Sequence, residues 1–133
     1  MQTMRKYDLK PRITVAEEDH RQLLALTLGG GQLSDAADDL LEEIERARVV
    51  PENKLPPEIV RMGSTVTYRP DNGEERKVTL VYPAEADISA NRISVLTPIG
   101  TALIGLAKGQ SITWTARNGL KHVLSVTAVE DPA

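Results

Sequence analysis

Three prolines fall within seven residues at Pro51, Pro56 and Pro57, and they divide the chain more firmly than any other feature. Proline lacks the amide donor and clashes with the preceding helical turn, so no helix entering this stretch can leave it. On its N-terminal side apolar residues recur at helical spacing. On its C-terminal side they alternate as in strands. A 133-residue chain has room for one ordinary domain, or for one small domain with a helical appendage, because cores below about 70 residues are marginal.

Residues 13–50 are expected to form a helical hairpin. Thr14-Val15-Ala16-Glu17 has the form of a capping box and predicts a helix start at Thr14. Val15, Leu23, Leu24, Leu26 and Leu28 supply its apolar positions, and Gly29-Gly30-Gly31 ends it. Ser34 is the candidate cap of a second helix, in which Ala37, Leu40, Leu41, Ile44 and Ala47 repeat at helical spacing and Glu42 can pair with Arg46. Residues 1–12 read as a flexible basic tail, and residues 51–62 as a linker.

From residue 63 to 133 the pattern is that of strands. Residues 65–69 and 77–82 flank the turn Asp71-Asn72-Gly73, a strong hairpin signal. A third strand is expected over residues 92–96. Thr97-Pro98 then reads as an N-cap followed by proline in the first turn of a short helix, 99–106. Strands at 111–116 and 121–129 flank Arg117-Asn118-Gly119. The fold class is therefore α+β: a two-helix antiparallel hairpin followed by an antiparallel sheet with one short helix.

Composition excludes several functions. Without cysteine there is no disulfide framework, thiolate metal site or cysteine nucleophile, and a reducing cytoplasmic setting is expected. No apolar run is long enough to span a membrane. Phe is absent, and only Trp114, Tyr7, Tyr68 and Tyr82 carry aromatic rings, which leaves little for an aromatic-lined pocket. His20 and His122 lack metal-ligand spacing, no G-x-S-x-G motif occurs, and neither Gly29–Gly31 nor Gly100 and Gly105 are followed by the Lys-Ser/Thr of a phosphate-binding loop. No catalytic residue, cofactor or resident metal is expected.

Charge points to a protein partner. Residues 14–50 hold nine acids against three bases, whereas residues 51–133 hold nine of each. An acidic hairpin avoids bare nucleic acid, so DNA or RNA would be reached only indirectly, through that partner. Asp35, Asp38 and Glu42 form a carboxylate line that could hold magnesium, but acids near a helix N-terminus ordinarily serve the macrodipole, and that reading is preferred.

Gly63-Ser64-Thr65-Val66, Leu80-Val81-Tyr82-Pro83-Ala84-Glu85-Ala86 and Thr97-Pro98-Ile99-Gly100-Thr101-Ala102-Leu103-Ile104-Gly105 together resemble the C-terminal domain of the GreA/GreB transcript cleavage factors. They are still more similar to the short regulator of nucleoside diphosphate kinase family, to which Leu80–Ala84 looks most particular. The resemblance implies an FKBP-like C-terminal domain and binding to RNA polymerase by a protein that competes with or modulates secondary-channel factors; a monomer is expected. It implies partner contacts at Leu96, Thr97, Pro98 and Gly100, with Leu96 standing where Gre factors carry an acid. It also implies a hairpin tip at Gln32, Ser34, Asp35 and Asp38. Arms of about 15 residues reach only about 22 Å, much less than the Gre hairpin, so transcript cleavage is not expected. The alternatives are a true cleavage factor using Asp35 and Asp38, a direct regulator of nucleoside diphosphate kinase, and a prolyl isomerase. The last is disfavoured by the missing aromatic pocket.

Overall fold

The computed structural model describes residues 9–28, 35–71 and 73–132. Helices α1 (Glu17–Leu28) and α2 (Asp35–Glu45) pack side by side as the expected hairpin. Strands β3 (Thr65–Pro70), β4 (Arg76–Val81), β5 (Arg92–Ser94), β6 (Ser111–Thr115) and β7 (Lys121–Glu130) form one curled sheet in the order β5-β4-β3-β7-β6. Its pairings are antiparallel except between β4 and β5. Helix α3 (Pro98–Leu103) lies between β5 and β6 in the chain and packs against β6 and α2.

The first helix begins three residues later than its capping box indicates. Thr14–Ala16 instead form β1, paired in parallel with β2 (Arg48–Val50) at the hairpin's base. The Thr14 amide donates to the Gly105 carbonyl at 3.1 Å, and the Arg48 amide donates to the Ile13 carbonyl at 2.9 Å. A β-branched pair with ladder partners on both sides gains more as a strand than as a first helical turn. At the other end α2 stops at Glu45, so Ala47 lies in the turn beyond it. Arg46 bonds Glu43 at 2.7 Å and the Pro11 carbonyl at 2.8 Å, not the expected Glu42.

The connection 51–62 carries a short 3-10 turn, Glu52–Lys54, and then becomes buried. Ile59 bridges Ala107, the Val60 amide donates to Leu106, and Val60 and Met62 enter the core. That core is continuous. Ile13, Val15, Leu23, Leu40 and Ile44 from the helical half belong to one cluster with Val66, Leu80, Val95, Leu103, Ile112 and Leu124 from the sheet half. Gly105 is a point of close approach between the halves. Its φ is +81°, and a Cβ there would lie 2.8 Å from Ile13 Cβ. Only glycine meets both conditions without strain.

Candidate functional site

The four positions singled out at the end of β5 form one braced turn. Ser94 starts it: its carbonyl accepts from the Thr97 amide at 3.0 Å and from the Thr97 hydroxyl at 2.7 Å, while its own hydroxyl accepts from the Leu96 amide at 3.0 Å. The Thr97 oxygen also accepts from the Gly100 amide at 3.0 Å, which makes it the N-cap of α3. Pro98 occupies the first helical position, where its missing amide costs nothing. Behind the turn, the buried Thr101 hydroxyl donates to the Val95 carbonyl at 2.8 Å. Gly100 closes the device, since a Cβ there would stand 2.2 Å from the Ser94 oxygen and 2.9 Å from both Thr97 Oγ1 and Val95 Cα. Leu96, Thr97, Pro98 and Ile99 remain half-exposed, so a rigid turn presents them outward.

Thr97→Val keeps the shape of this side chain and removes its hydroxyl bonds. Loss of a cap costs about 0.5–2 kcal/mol. The expected result is a chain that still folds, with a melting temperature lowered by a few degrees and faster amide exchange at Gly100.

Beside the turn opens a pocket of about 370 Å³ lined by Tyr68, Ile93, Ile99 and Trp114 together with Thr97, Pro98, Ala116 and Arg117. Sequence reasoning missed it, because a chain with one Trp and three Tyr was expected to have little aromatic pocket. Strand alternation places Trp114 on one face with residues 112, 122, 124 and 126 but does not bring it to Tyr68, Ile93 and Ile99, which come from other elements. Trp114 is held from the side by His122, with ring centroids 5.2 Å apart and tilted by 34°. His122 Nδ1 in turn lies 3.5 Å from Asp71 Oδ1. The buried Trp114 indole N–H has no acceptor among the described residues, a state that costs about 1–3 kcal/mol when a donor is fully desolvated.

The hairpin acids lie elsewhere. Asp35 and Asp38 are exposed in the first turn of α2, whereas Gln32 and Ser34 fall outside the described residues. Among the described residues no group of three or more His, Asp or Glu side chains is placed to hold a metal ion. Asp39 and Asp35 instead line a cleft shared with Leu96, Pro98 and Arg117.

A buried acid fastens the start of α1 to the end of the 51–62 connection. Asp19, 6% exposed, accepts from the Met62 amide at 3.3 Å and lies 3.5 Å from Arg61 Nε, while Arg61 also pairs with Glu52. Burial raises the Asp19 pKa despite the opposing pull of Arg61, and the hydrogen bond from Arg61 lowers that of Glu52. The buried Tyr82 hydroxyl, in the Leu80–Ala84 motif, is pushed up to about 12 by burial and then by the charges of Asp19 and Glu18. A carboxyl whose pKa is raised by folding is destabilising while charged, and that penalty fades as pH falls through the raised value toward the unfolded one. Asp19→Asn mimics the neutral form, keeps an oxygen for Met62, and leaves Glu52 to neutralise Arg61. Its melting temperature at pH 7 is expected to equal or exceed that of the parent, with the difference shrinking as the pH approaches about 4. Thermal unfolding followed by circular dichroism across that range checks the sign.

A short helical hairpin beside a curled sheet, with a capped strand-to-helix turn at its edge, is the architecture that the resemblance to the Gre factors implies. The chain belongs to the GreA/GreB family: the family model for the transcription elongation factor GreA/GreB C-terminal region matches residues 55–131. It is 40% identical over 95 residues to the regulator of nucleoside diphosphate kinase of Escherichia coli strain K12, covering 71% of this chain and 70% of that one. It is 39% identical over 84 residues to transcription elongation factor GreA of Azorhizobium caulinodans, covering 62% of this chain but only 54% of that one. A solved GreA/GreB elongation factor from Nitrosomonas europaea shares 37% identity and superposes with a TM-score of 0.72, covering 92% of this chain and all of that one. The expected family and fold class are both borne out.

Proposed function

We propose that this chain binds RNA polymerase through the Ser94–Gly100 turn and regulates transcription without cutting RNA. The observation that carries the reading is the turn itself: hydrogen bonds from Leu96 and Thr97 to Ser94, and from Gly100 and Thr101 to Thr97, brace it while its outer surface stays accessible. Rigid presentation of a few side chains suits a docking contact better than catalysis, which would need a nucleophile, base or metal beside it. The names of the relatives, elongation factors and a regulator, support the same reading.

The length of the hairpin supports a reading without cleavage. Helix α1 has 12 residues and α2 has 11, so each arm is under about 20 Å long at 1.5 Å per residue. Asp35 and Asp38 then sit too near the sheet to reach a distant metal. An acidic arm of this length suits a basic channel mouth, and it competes with longer factors for the rim. The protein works as a cytoplasmic monomer and meets nucleic acid only through the polymerase. Any link to nucleoside diphosphate kinase, the enzyme in the name of the Escherichia coli relative, then acts through transcription.

The test uses stalled, backtracked elongation complexes. The protein should co-elute with core polymerase on gel filtration and leave the RNA 3′ end intact over hours. Shortened transcripts that disappear in the Asp35→Asn/Asp38→Asn double variant would replace this reading with that of a cleavage factor.

A further inference from the structure

The pocket beside the turn carries information about its occupant. Tyr68, Ile93, Ile99 and Trp114 make it apolar, and Arg117 is the single charged side chain on its wall. Arg117 is exposed on the β6–β7 turn and makes no ion pair with any described residue. Asp35 and Asp39 share the neighbouring cleft with it without pairing. The pocket is continuous with the turn, since Thr97, Pro98 and Ile99 border both. Among the described residues that line the pocket, Arg117 carries the one fixed charge, and it is positive.

We infer that the Tyr68–Trp114 pocket takes an apolar side chain of the polymerase segment docked on the turn, and that Arg117 selects a segment carrying a carboxylate next to that side chain. This rests on the reading above and deepens it by naming the chemistry of the partner. An aliphatic side chain fills the hollow and covers the indole, while the guanidinium, already lacking a protein partner, pairs with the adjacent acid. A basic neighbour is repelled instead. The specificity arises from charge at the rim, and the affinity arises from the apolar anchor.

The chain's only tryptophan gives a direct readout, because its indole N–H is a single resolved signal in a proton–nitrogen correlation spectrum. Two blocked peptides, acetyl-Gly-Leu-Asp-Leu-Gly-amide and acetyl-Gly-Leu-Lys-Leu-Gly-amide, are titrated into the labelled full chain. The acidic peptide should shift the Trp114 indole and Arg117 signals with an affinity at least about fivefold above that of the basic one, as expected for one rim charge pair. Arg117→Glu should invert that preference with the rest of the spectrum unchanged, which also shows that the variant is folded. The same variant should bind core polymerase about tenfold more weakly, the usual scale for reversing a contact charge. Equal shifts by both peptides, no shift by either, or undiminished polymerase binding by Arg117→Glu would overturn the assignment. Discrimination between the peptides in a protein that fails to bind polymerase would overturn the proposed function and leave the pocket's chemistry standing.

Discussion

Gly100→Ala is expected to destabilise the chain markedly for the addition of a single methyl group. Intrinsic propensity points the other way, because alanine in a helix is favoured over glycine by about 1 kcal/mol. Geometry decides against it: the added carbon would meet the Ser94 carbonyl at 2.2 Å, and Thr97 Oγ1 and Val95 Cα at 2.9 Å. None of these can give way cheaply. Ser94 is held in β5 by pairing with Val81, Thr97 is the cap, and Val95 is fully buried. Overpacking of this kind costs about 1–3 kcal/mol or more, so it outweighs the gain in propensity. The turn should open to make room, moving Leu96, Thr97 and Pro98 together. A fall in stability of at least about 1 kcal/mol by urea unfolding, with polymerase affinity reduced by about tenfold or more, is the expected pair of results. Unchanged stability would mean that the turn is softer than its hydrogen bonds imply.

Ile13→Ala is expected to destabilise both halves of the molecule at once. Ile13 is fully buried, its carbonyl accepts from Arg48, and its side chain lies against Gly105 at the crossing between hairpin and sheet. Truncating a buried isoleucine costs about 2–5 kcal/mol through lost transfer energy and the cavity left behind. On a total stability of about 5–15 kcal/mol this is a large fraction. For a chain of this size it corresponds to a fall in melting temperature of about 10 °C. Because the core cluster runs through both halves, helical and Trp114 fluorescence signals should be lost in one coincident transition. Two separated transitions would show that the hairpin and sheet are thermodynamically independent.

What could be read from the sequence follows from how local the controlling interaction is. The turn at Thr97-Pro98 and the break at Pro51 were legible because capping and the missing proline amide act within a few residues. The sheet strands were legible from alternation, to within about a residue or two at their ends. Thr14–Ala16 misled because its deciding partners, Arg48–Val50 and Gly105, lie more than thirty residues away. The buried stretch around Val60 escaped for the same reason, since Leu106 and Gly105 supply its hydrogen bonds. At the candidate site, family resemblance singled out Leu96, Thr97, Pro98 and Gly100, and local capping explains why they share one turn. Tyr68, Trp114 and Arg117 were not, because three strands and a turn must first curl together before they share a wall. Nothing in the local sequence singles out Asp19. Its role at the junction depends on Arg61 and Met62 arriving from across the linker.

The account turns on a shared docking site with the longer members of the family, and a competition titration addresses it directly. Fluorescently labelled protein is titrated with RNA polymerase core enzyme, and the bound complex is then challenged with excess unlabelled GreA. Saturable binding at micromolar polymerase or below, fully displaced by GreA, is the predicted result. Binding that GreA leaves untouched, or no binding at all, would contradict it.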